Sequence, residues 1–226
     1  MESEARMVNR IILSDDMLIG MGGHKKVYRH PDDPALCIKI LIAGEQDPDW
    51  QKEMYYRRSR QRRHLTSRLM TAYHGDVDTN MGIGRVFERV VDYDGSASLT
   101  LDEWIDAHDD ELRLDASPAV SLLMKLRDAM LDEEIVTYNM QAGNFMVQRV
   151  SECELRPRVI DNLGSASHLP IAFFFTSIAR KHIKKYWARF TRDLLKIYPE
   201  IFDEEKIARL ENFDAHKIST SELVTI

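Results

Sequence analysis

Cysteines and long apolar runs are scarce in this chain of 226 residues. The two cysteines, Cys37 and Cys153, lie far apart and lack the CxxC spacing of a zinc or redox pair, which favours two reduced thiols. The longest apolar stretch is residues 169–179, too short for a membrane-spanning helix of about 20 residues, and favours C-lobe core. Residues 1–6 are polar and acidic, unlike an export signal. We therefore expect a cytoplasmic protein without a transmembrane segment.

A basic excess is also missing. Charged residues make up 30% of the chain and the net charge is −6, which argues against a nucleic-acid-coating protein. The eight histidines form no His-x-x-x-His pair beside a carboxylate, and Ser96 and Ser98 lack the glycine flanks of a nucleophile elbow. These absences disfavour a zinc site of that type and a serine hydrolase of the nucleophile-elbow type.

Two short segments contain the strongest candidate functional residues of the chain. Residues 137–144 read TYNMQAGN and residues 159–164 read VIDNLG. Protein kinases place a catalytic Asp five residues before a metal-binding Asn, and a second metal-binding Asp at the head of a turn that ends in Gly. Asn144 and Asp161 match the two metal ligands, whereas Asn139 stands at the position of the catalytic Asp. The pattern predicts a Mg²⁺ site at Asn144 and Asp161.

Residues upstream of these segments match the two phosphate-binding elements of a kinase, a glycine-rich loop followed by a strand lysine. Residues 19–28 read IGMGGHKKVY and predict a glycine-rich hairpin, in which glycines let the backbone approach phosphates closely. Lys39 lies in an alternating strand pattern, about a hundred residues before Asn139, and would pair the phosphates. The candidate nucleotide contacts of the hairpin are Gly20, Gly22, Gly23, His24 and Lys25. For His24 and Lys25, a phosphate contact and an exposed loop tip are equally open interpretations.

Two further residues complete the predicted site. Glu53, on a helix predicted from Asp49 to Ser67, is the favoured acid to steady Lys39, and Glu45 is the alternative. A strand over residues 86–91 leads into the turn DYDG at 92–95, which suits a hinge whose backbone holds an adenine edge. We include Glu88 among the nucleotide-binding candidates.

The pattern as a whole predicts an α+β fold of protein-kinase type. A small β-rich N-lobe would cover residues 1–91 and include the glycine-rich loop, Lys39 and the helix of Glu53. A larger helical C-lobe, with helices around a β-hairpin, would cover residues 92–226. Within it, Thr100 and Glu103 form a capping-box pattern, and apolar periodicity predicts a helix over Ser117–Asp132. Mg-ATP would bind between the lobes.

The chain also resembles a named family, the PhoP regulatory network protein YrbL and its relatives, from about Ile11 to about Arg192. The matching residues are 20–28, 30–31, 37–40, 73–75, 92–95, 135–137, Asn144 and 161–164. The resemblance implies a kinase-like fold. Its connection to the PhoP network of Gram-negative bacteria implies a role in envelope stress, and analogy with other bacterial kinase-like enzymes suggests a lipopolysaccharide sugar as one acceptor class.

The sequence departs from the ordinary kinase pattern at several positions, and these departures leave two functions open. Thr137 and Tyr138 stand where His and Arg usually precede the catalytic Asp, Gln141 replaces the following Lys, and Asn162 replaces the Phe of the metal-binding turn. The loop has no carboxylate that serves as a base. Two functions stay open: an atypical phosphotransferase acting slowly on an unknown acceptor, and a nucleotide-binding pseudokinase with a regulatory or scaffolding role.

Two basic helices are predicted. The first carries Arg57, Arg58, Arg60, Arg62 and Arg63, with Arg68 following, and a solvated face is favoured over an anionic contact surface. The second spans residues 180–196 and combines an apolar stripe, Ile183, Trp187, Phe190 and Leu194, with seven positive charges. For its charges, solvation, an anionic partner and a membrane surface are the alternatives.

Overall fold

The structure is a computed structural model that describes residues 10–44, 50–164 and 175–214. The chain has a mixed α+β architecture with antiparallel sheets and six α-helices within these ranges. Its internal contacts define two compact units. The first comprises Met1–Pro48 and Thr71–Val91, and the second comprises Asp49–Met70 and Asp92–Ile226.

The first unit is an antiparallel sheet of five strands in the order β1-β2-β3-β5-β4. The strands are β1 (Leu18–Met21), β2 (Lys25–Arg29), β3 (Leu36–Leu41), β4 (Tyr73–Thr79) and β5 (Gly82–Glu88). The register pairs Lys39 with Val27 on one side and with Arg85 on the other. Directly opposed residues share a face of the sheet, so these three side chains lie together.

The core of the first unit lies on the opposite face of this sheet. Tyr28, Ile38, Ile40 and Val86 are buried there, as the alternation of side chains along β3 predicts. Gly84 completes this face, because an added Cβ would lie only 2.5 Å from Ile38 Cγ2. The same alternation directs Lys39 away from this core.

The second unit combines helices with a three-stranded antiparallel sheet in the order β6-β7-β8. Its helices are α1 (Trp50–Arg62), α2 (Leu101–Ala107), α3 (Asp109–Leu114), α4 (Ser117–Asp132), α5 (Thr176–Ile197) and α6 (Glu204–Glu211). Its strands are β6 (Leu99–Thr100), β7 (Phe145–Arg149) and β8 (Leu155–Val159), of which β7 and β8 form the predicted hairpin. The capping box of Thr100 and Glu103 is present at the start of α2.

The apolar stripe of α5 is confirmed as part of the core of the second unit. Ile183, Trp187, Phe190 and Leu194 are all buried. Trp187 is completely buried, and its indole Nε1–H donates to the Leu210 carbonyl at 3.0 Å, which satisfies its polar group. The 3.6-residue periodicity therefore identified the buried face of this helix correctly.

Helix α1 belongs to the second unit, whereas the sequence analysis assigned it to residues 1–91. The physical reason lies in two buried side chains. The Tyr56 hydroxyl donates to Glu134 O at 2.9 Å and accepts from Val136 N at 3.0 Å. The Arg60 guanidinium donates to Glu133 O at 2.6 Å. Arg60 is therefore a structural residue, unlike the solvated arginine that was expected.

Helix α1 also ends earlier than predicted, at Arg62 rather than near Ser67. His64 adopts a left-handed conformation with φ of 55°. Leu65 N donates to Arg60 O, and His64 N donates to Gln61 O, which is the bonding pattern of a Schellman motif. A glycine usually marks this ending, and its absence here concealed the boundary.

Changing Tyr56 to Phe is expected to lower the free energy of unfolding by about 1–3 kcal/mol, because it leaves the buried Val136 N–H and the Glu134 carbonyl without this partner. Chemical denaturation measures the change. Tyr55→Phe is the matched control, since Tyr55 is 44% exposed, and it should alter stability by at most about 0.5 kcal/mol. Similar losses in both variants would contradict the bridging role of the Tyr56 hydroxyl.

Within the described ranges, no helix combines the length and the apolar character that crossing a membrane requires. Residues 169–174, which belong to the longest apolar stretch and to the predicted C-lobe core, lie outside the described residues, as does Glu45.

Candidate functional site

The glycine-rich segment forms the predicted hairpin between β1 and β2. Gly22 N donates to Lys25 O at 2.8 Å and closes the turn. Ile42 N donates to His24 O at 2.9 Å, which anchors the loop tip to the chain just after β3. The hairpin is therefore held at its tip as well as along its strands.

Space around the loop glycines is open. An added Cβ would meet no atom within 4 Å at Gly23, and the nearest atoms would lie 3.8 Å away at Gly20 and 3.9 Å away at Gly22. A group that approaches this backbone meets no side chain from these three positions. A phosphate-covering loop needs this property.

Lys39 lies in the middle of β3, with its Nζ 4.8 Å from the centre of the Phe87 ring. Arg85 is its direct neighbour in β5. Two positively charged side chains thus stand side by side on the face of the sheet opposite the core. The sequence did not single out Arg85, because the pairing of β3 with β5 joins residues far apart in the chain.

Glu53 is 4% exposed, and its carboxylate accepts from Arg57 Nε at 2.8 Å, one turn along α1. In the structure, Arg57 is therefore the ion-pair partner of Glu53. Lys39 belongs to the first unit and Glu53 to the second, and the proposed pairing of the two stays a prediction.

The loop of the second unit holds Asn139 and Asn144 close together. Asn144 ends a short 3-10 turn, Ala142–Asn144, and its Nδ2 donates to the Asn139 carbonyl at 3.1 Å. Ile160 N donates to the Asn144 carbonyl at 3.0 Å. Because Ile160 directly precedes Asp161, these two bonds bring both predicted metal ligands and Asn139 into one place.

The turn after β8 pairs with the entry to this loop. Gly164 N donates to Val136 O at 2.8 Å, and Tyr138 N donates to Asn162 O at 3.2 Å. Asn162 has a φ of 60°, a left-handed conformation that Asn tolerates better than most residues, and its Oδ1 accepts from the Tyr138 hydroxyl at 2.8 Å. Asn162 and Tyr138, both departures from the kinase pattern, therefore support one another.

Side-chain hydrogen bonds hold the predicted hinge turn. Asp92 is buried, and its carboxylate accepts from Arg149 Nε at 2.6 Å and from Ser98 Oγ at 2.5 Å. Glu88, at the end of β5, accepts from Ala72 N at 3.0 Å through its carboxylate. The Glu88 side chain therefore has a structural partner, and an adenine contact in this region stays a prediction.

These residues belong to a recognised sequence family. A family model described as PhoP regulatory network protein YrbL matches residues 11–195. The chain belongs to this family. It is 32% identical over 182 residues to the YrbL proteins of Escherichia coli and Shigella flexneri, a match that covers 80% of this chain and 86% of each relative. All the candidate residues lie within the matched segment.

One residue in this family member was missed by the sequence analysis. The carboxylate of Asp102, on α2, lies against the loop, and an added Cβ at Gly143 would come 3.4 Å from its Oδ2. Its Oδ1 is buried and makes no hydrogen bond to any part of the chain that the structure describes. An unsatisfied buried polar atom costs about 1–3 kcal/mol, so a ligand that donates a hydrogen bond here would recover that cost. In the sequence, Asp102 is simply an acid in the first turn of a helix, a common and favourable position.

The surroundings of Asp102 are negative. Partial burial, the negative charges of Asp106 and Asp102, and a hydrogen bond with Asp106 together raise the pKa of Tyr198 to about 12. A phosphate is disfavoured in such surroundings, whereas a neutral hydroxyl donor fits them.

Proposed function

We propose that this YrbL-family chain is a kinase-like protein that binds Mg-ATP. The observation that carries the proposal is the pair of bonds through Asn144, which place the loop next to the segment leading into Asp161. Magnesium in nucleotide sites usually takes one or two protein carboxylates and completes its shell with phosphates and water. One carboxylate from Asp161 and one amide oxygen from Asn144 fit that requirement.

The orientation of Asn144 supports this role. Its Nδ2 is already used by the Asn139 carbonyl, so Oδ1 is the end of the amide that is available to a cation. In the proposed complex, Asn144 and Asp161 would hold the metal, which would supply positive charge to neutralise the phosphates.

The first unit adds independent support for a kinase-like fold. Protein kinases carry the phosphate-binding lysine on their third strand and cover the phosphates with a glycine-rich loop. Here Lys39 lies on β3 and the glycine-rich hairpin joins β1 and β2. We propose that Lys39 and the backbone N–H groups of residues 23 and 24, at the tip of the hairpin, hold the phosphates.

An atypical phosphotransferase is the first functional candidate. Phosphoryl transfer passes through a loose transition state, in which positioning and charge neutralisation supply most of the rate. Asn139 occupies the base position, and an amide can orient a hydroxyl acceptor without removing its proton. Loss of the base removes about 10²–10⁴-fold of the rate, so we expect slow transfer to the acceptor.

A nucleotide-binding pseudokinase is the second candidate. The observation that favours it is the loop itself, since residues 137–144 contain no carboxylate. In this case bound nucleotide would stabilise one conformation of the chain and the output would be regulatory. The family description suggests a PhoP regulatory network as the setting for either candidate.

Titration calorimetry with ATP, in the presence of magnesium and then of EDTA, tests the proposal. We expect saturable binding with magnesium and much weaker binding in EDTA, because Asp161 and Asn144 would hold the metal and the metal would supply the positive charge that the phosphates need. AMP should bind more weakly than ATP, since it lacks the phosphates that Lys39 and the metal contact. The absence of ATP binding in both conditions would contradict the proposed function.

The basic face of α5 gives a further prediction. Several of its charges have local partners: Lys196 lies 3.1 Å from Asp193, and Lys184 Nζ lies 4.6 Å from the Phe213 ring centre. Arg180 and Lys181, at the start of the helix, are exposed. We propose that this end of α5 meets an anionic surface through charge attraction that salt screens.

Reversing both residues, Arg180→Glu with Lys181→Glu, should leave the stability unchanged and weaken binding to vesicles that contain an anionic lipid. Co-sedimentation at low and high salt measures the effect, and we expect salt to remove the difference between wild type and variant. Reversal of Arg192 and Lys196 at the other end of α5 is the control. If wild type does not bind the vesicles, or if the Arg180 and Lys181 reversal leaves binding unchanged, this partner surface is ruled out for membranes.

A further inference from the structure

One half-buried histidine contacts the candidate loop without belonging to it. His182, on α5, places its Nε2 3.1 Å from the carbonyl oxygen of Thr137. Thr137 is almost fully buried and precedes Asn139 by two residues. This contact spans 45 positions in the chain and joins the longest helix to the entry of the loop.

The chemistry of the contact fixes the form of the ring. A carbonyl oxygen only accepts hydrogen bonds, so Nε2 must carry the proton that it donates. Burial lowers the pKa of His182, which favours the neutral ring, although the Thr137 carbonyl raises the pKa in part. The neutral ring with hydrogen on Nε2 leaves Nδ1 as an acceptor. Tyr186 stacks on the ring with centroids 4.4 Å apart and planes 20° apart, which restricts its orientation.

The carbonyl that His182 contacts belongs to a short ladder. Thr137 forms an isolated antiparallel bridge with Leu163, and the bonds from Gly164 N to Val136 O and from Tyr138 N to Asn162 O flank it. Asn139 follows one side of this ladder and Asp161 precedes the other. The ladder therefore connects residues 136–138 to the two segments that carry these positions.

We propose that His182 is a positioning residue, whose Nε2–H holds the Thr137 carbonyl and thereby sets the spacing between the loop and the Asp161 turn. In the ordinary kinase pattern a histidine lies within the loop itself, where this chain has Thr137. Here α5 supplies an imidazole to the same segment from outside. The importance of this spacing for nucleotide binding rests on the proposed function above, whereas the positioning of the ladder does not.

Two substitutions at His182 separate hydrogen bonding from packing. His182→Phe keeps a ring to stack on Tyr186 and removes the donor, whereas His182→Gln keeps an N–H at a similar distance from the backbone. His108 is the matched control, because its Nδ1 lies 2.8 Å from the Trp104 carbonyl and its ring lies against Trp104, a local contact at the C-terminal end of α2. His108→Phe removes the equivalent bond away from the ladder.

Amide hydrogen exchange at Tyr138 and Gly164 is the primary measurement. We expect about fivefold faster exchange in His182→Phe, near wild-type exchange in His182→Gln, and no change in His108→Phe, as the loss of one hydrogen bond implies. Magnesium-dependent ATP affinity should fall by a similar factor, about fivefold, in His182→Phe only.

The outcomes distinguish this inference from the proposed function. Unchanged exchange in a folded His182→Phe protein would overturn the positioning role, whatever the nucleotide data show. Faster exchange in a protein whose wild type binds no ATP would support the positioning role and reject the proposed function. If His182→Phe does not fold, the ¹⁵N shifts of the wild-type imidazole decide: a protonated Nε2 with a bare Nδ1 is expected, and the opposite tautomer overturns the inference.

Discussion

Replacing Asp161 with Asn should weaken Mg-ATP binding about tenfold or more, since a charge-assisted contact contributes about 1.5–3 kcal/mol. Asn tests the charge more specifically than Ala does, because Asp161 Oδ1 accepts from Asn162 N at 3.0 Å and an amide oxygen preserves that bond. The variant therefore removes the negative charge that the metal requires and keeps the local turn. Calorimetry with magnesium present measures the loss.

Lys39→Met provides the corresponding test in the first unit. It keeps the apolar stem that lies near the Phe87 ring and removes the ammonium group, so we expect a loss of similar size. Asp110→Ala, an exposed change in α3, is the control and should leave affinity within about twofold. Equal affinities for wild type and Asp161→Asn would reject the assignment of this residue to the metal.

If the chain is a phosphotransferase limited by its missing base, replacing Asn139 with Asp should raise ATP turnover by about 10²-fold or more. The exchange is nearly isosteric. The bond from Asn144 Nδ2 goes to the main-chain oxygen of Asn139, so the side chain can change without breaking it. Release of ADP, measured with and without candidate acceptors, reports the gain.

Asn162→Asp is the matched control for this prediction, since it adds the same charge within the same ladder. We expect it to give no increase, because Asn162 bonds to Tyr138 and is not at the base position. A double variant with Asp161→Asn should be inactive, which excludes a contaminating ATPase. Unchanged turnover in Asn139→Asp with intact ATP binding would favour the pseudokinase.

Features fixed by local periodicity were predictable from the sequence. The alternation in residues 36–40 identified the strand that carries Lys39, and the spacing of the apolar residues in α5 identified Trp187 as part of the core. The capping box identified the start of α2 because it depends on residues only three apart. Each of these patterns depends only on residues that lie close together in the sequence.

Features fixed by distant contacts were not predictable in this way. Arg60 is one of several arginines in its helix, and nothing local distinguishes the one that is buried against Glu133. His182 and Asp102 likewise contact the candidate loop at residues more than 40 positions away in the chain, so no local pattern identifies them. The assignment of α1 to the second unit follows from the same kind of contact, through Tyr56.

The central claim is that one metal-nucleotide contacts both Asn144 and Asp161. Substituting Mn²⁺ for Mg²⁺ in the ATP complex tests it most directly, because paramagnetic broadening of NMR signals falls steeply with distance from the ion. We predict the strongest broadening at the backbone amides of residues 144 and 161 and at neighbouring positions of the loop and turn. Strong broadening confined to exposed acids elsewhere, such as Asp110, would contradict the account.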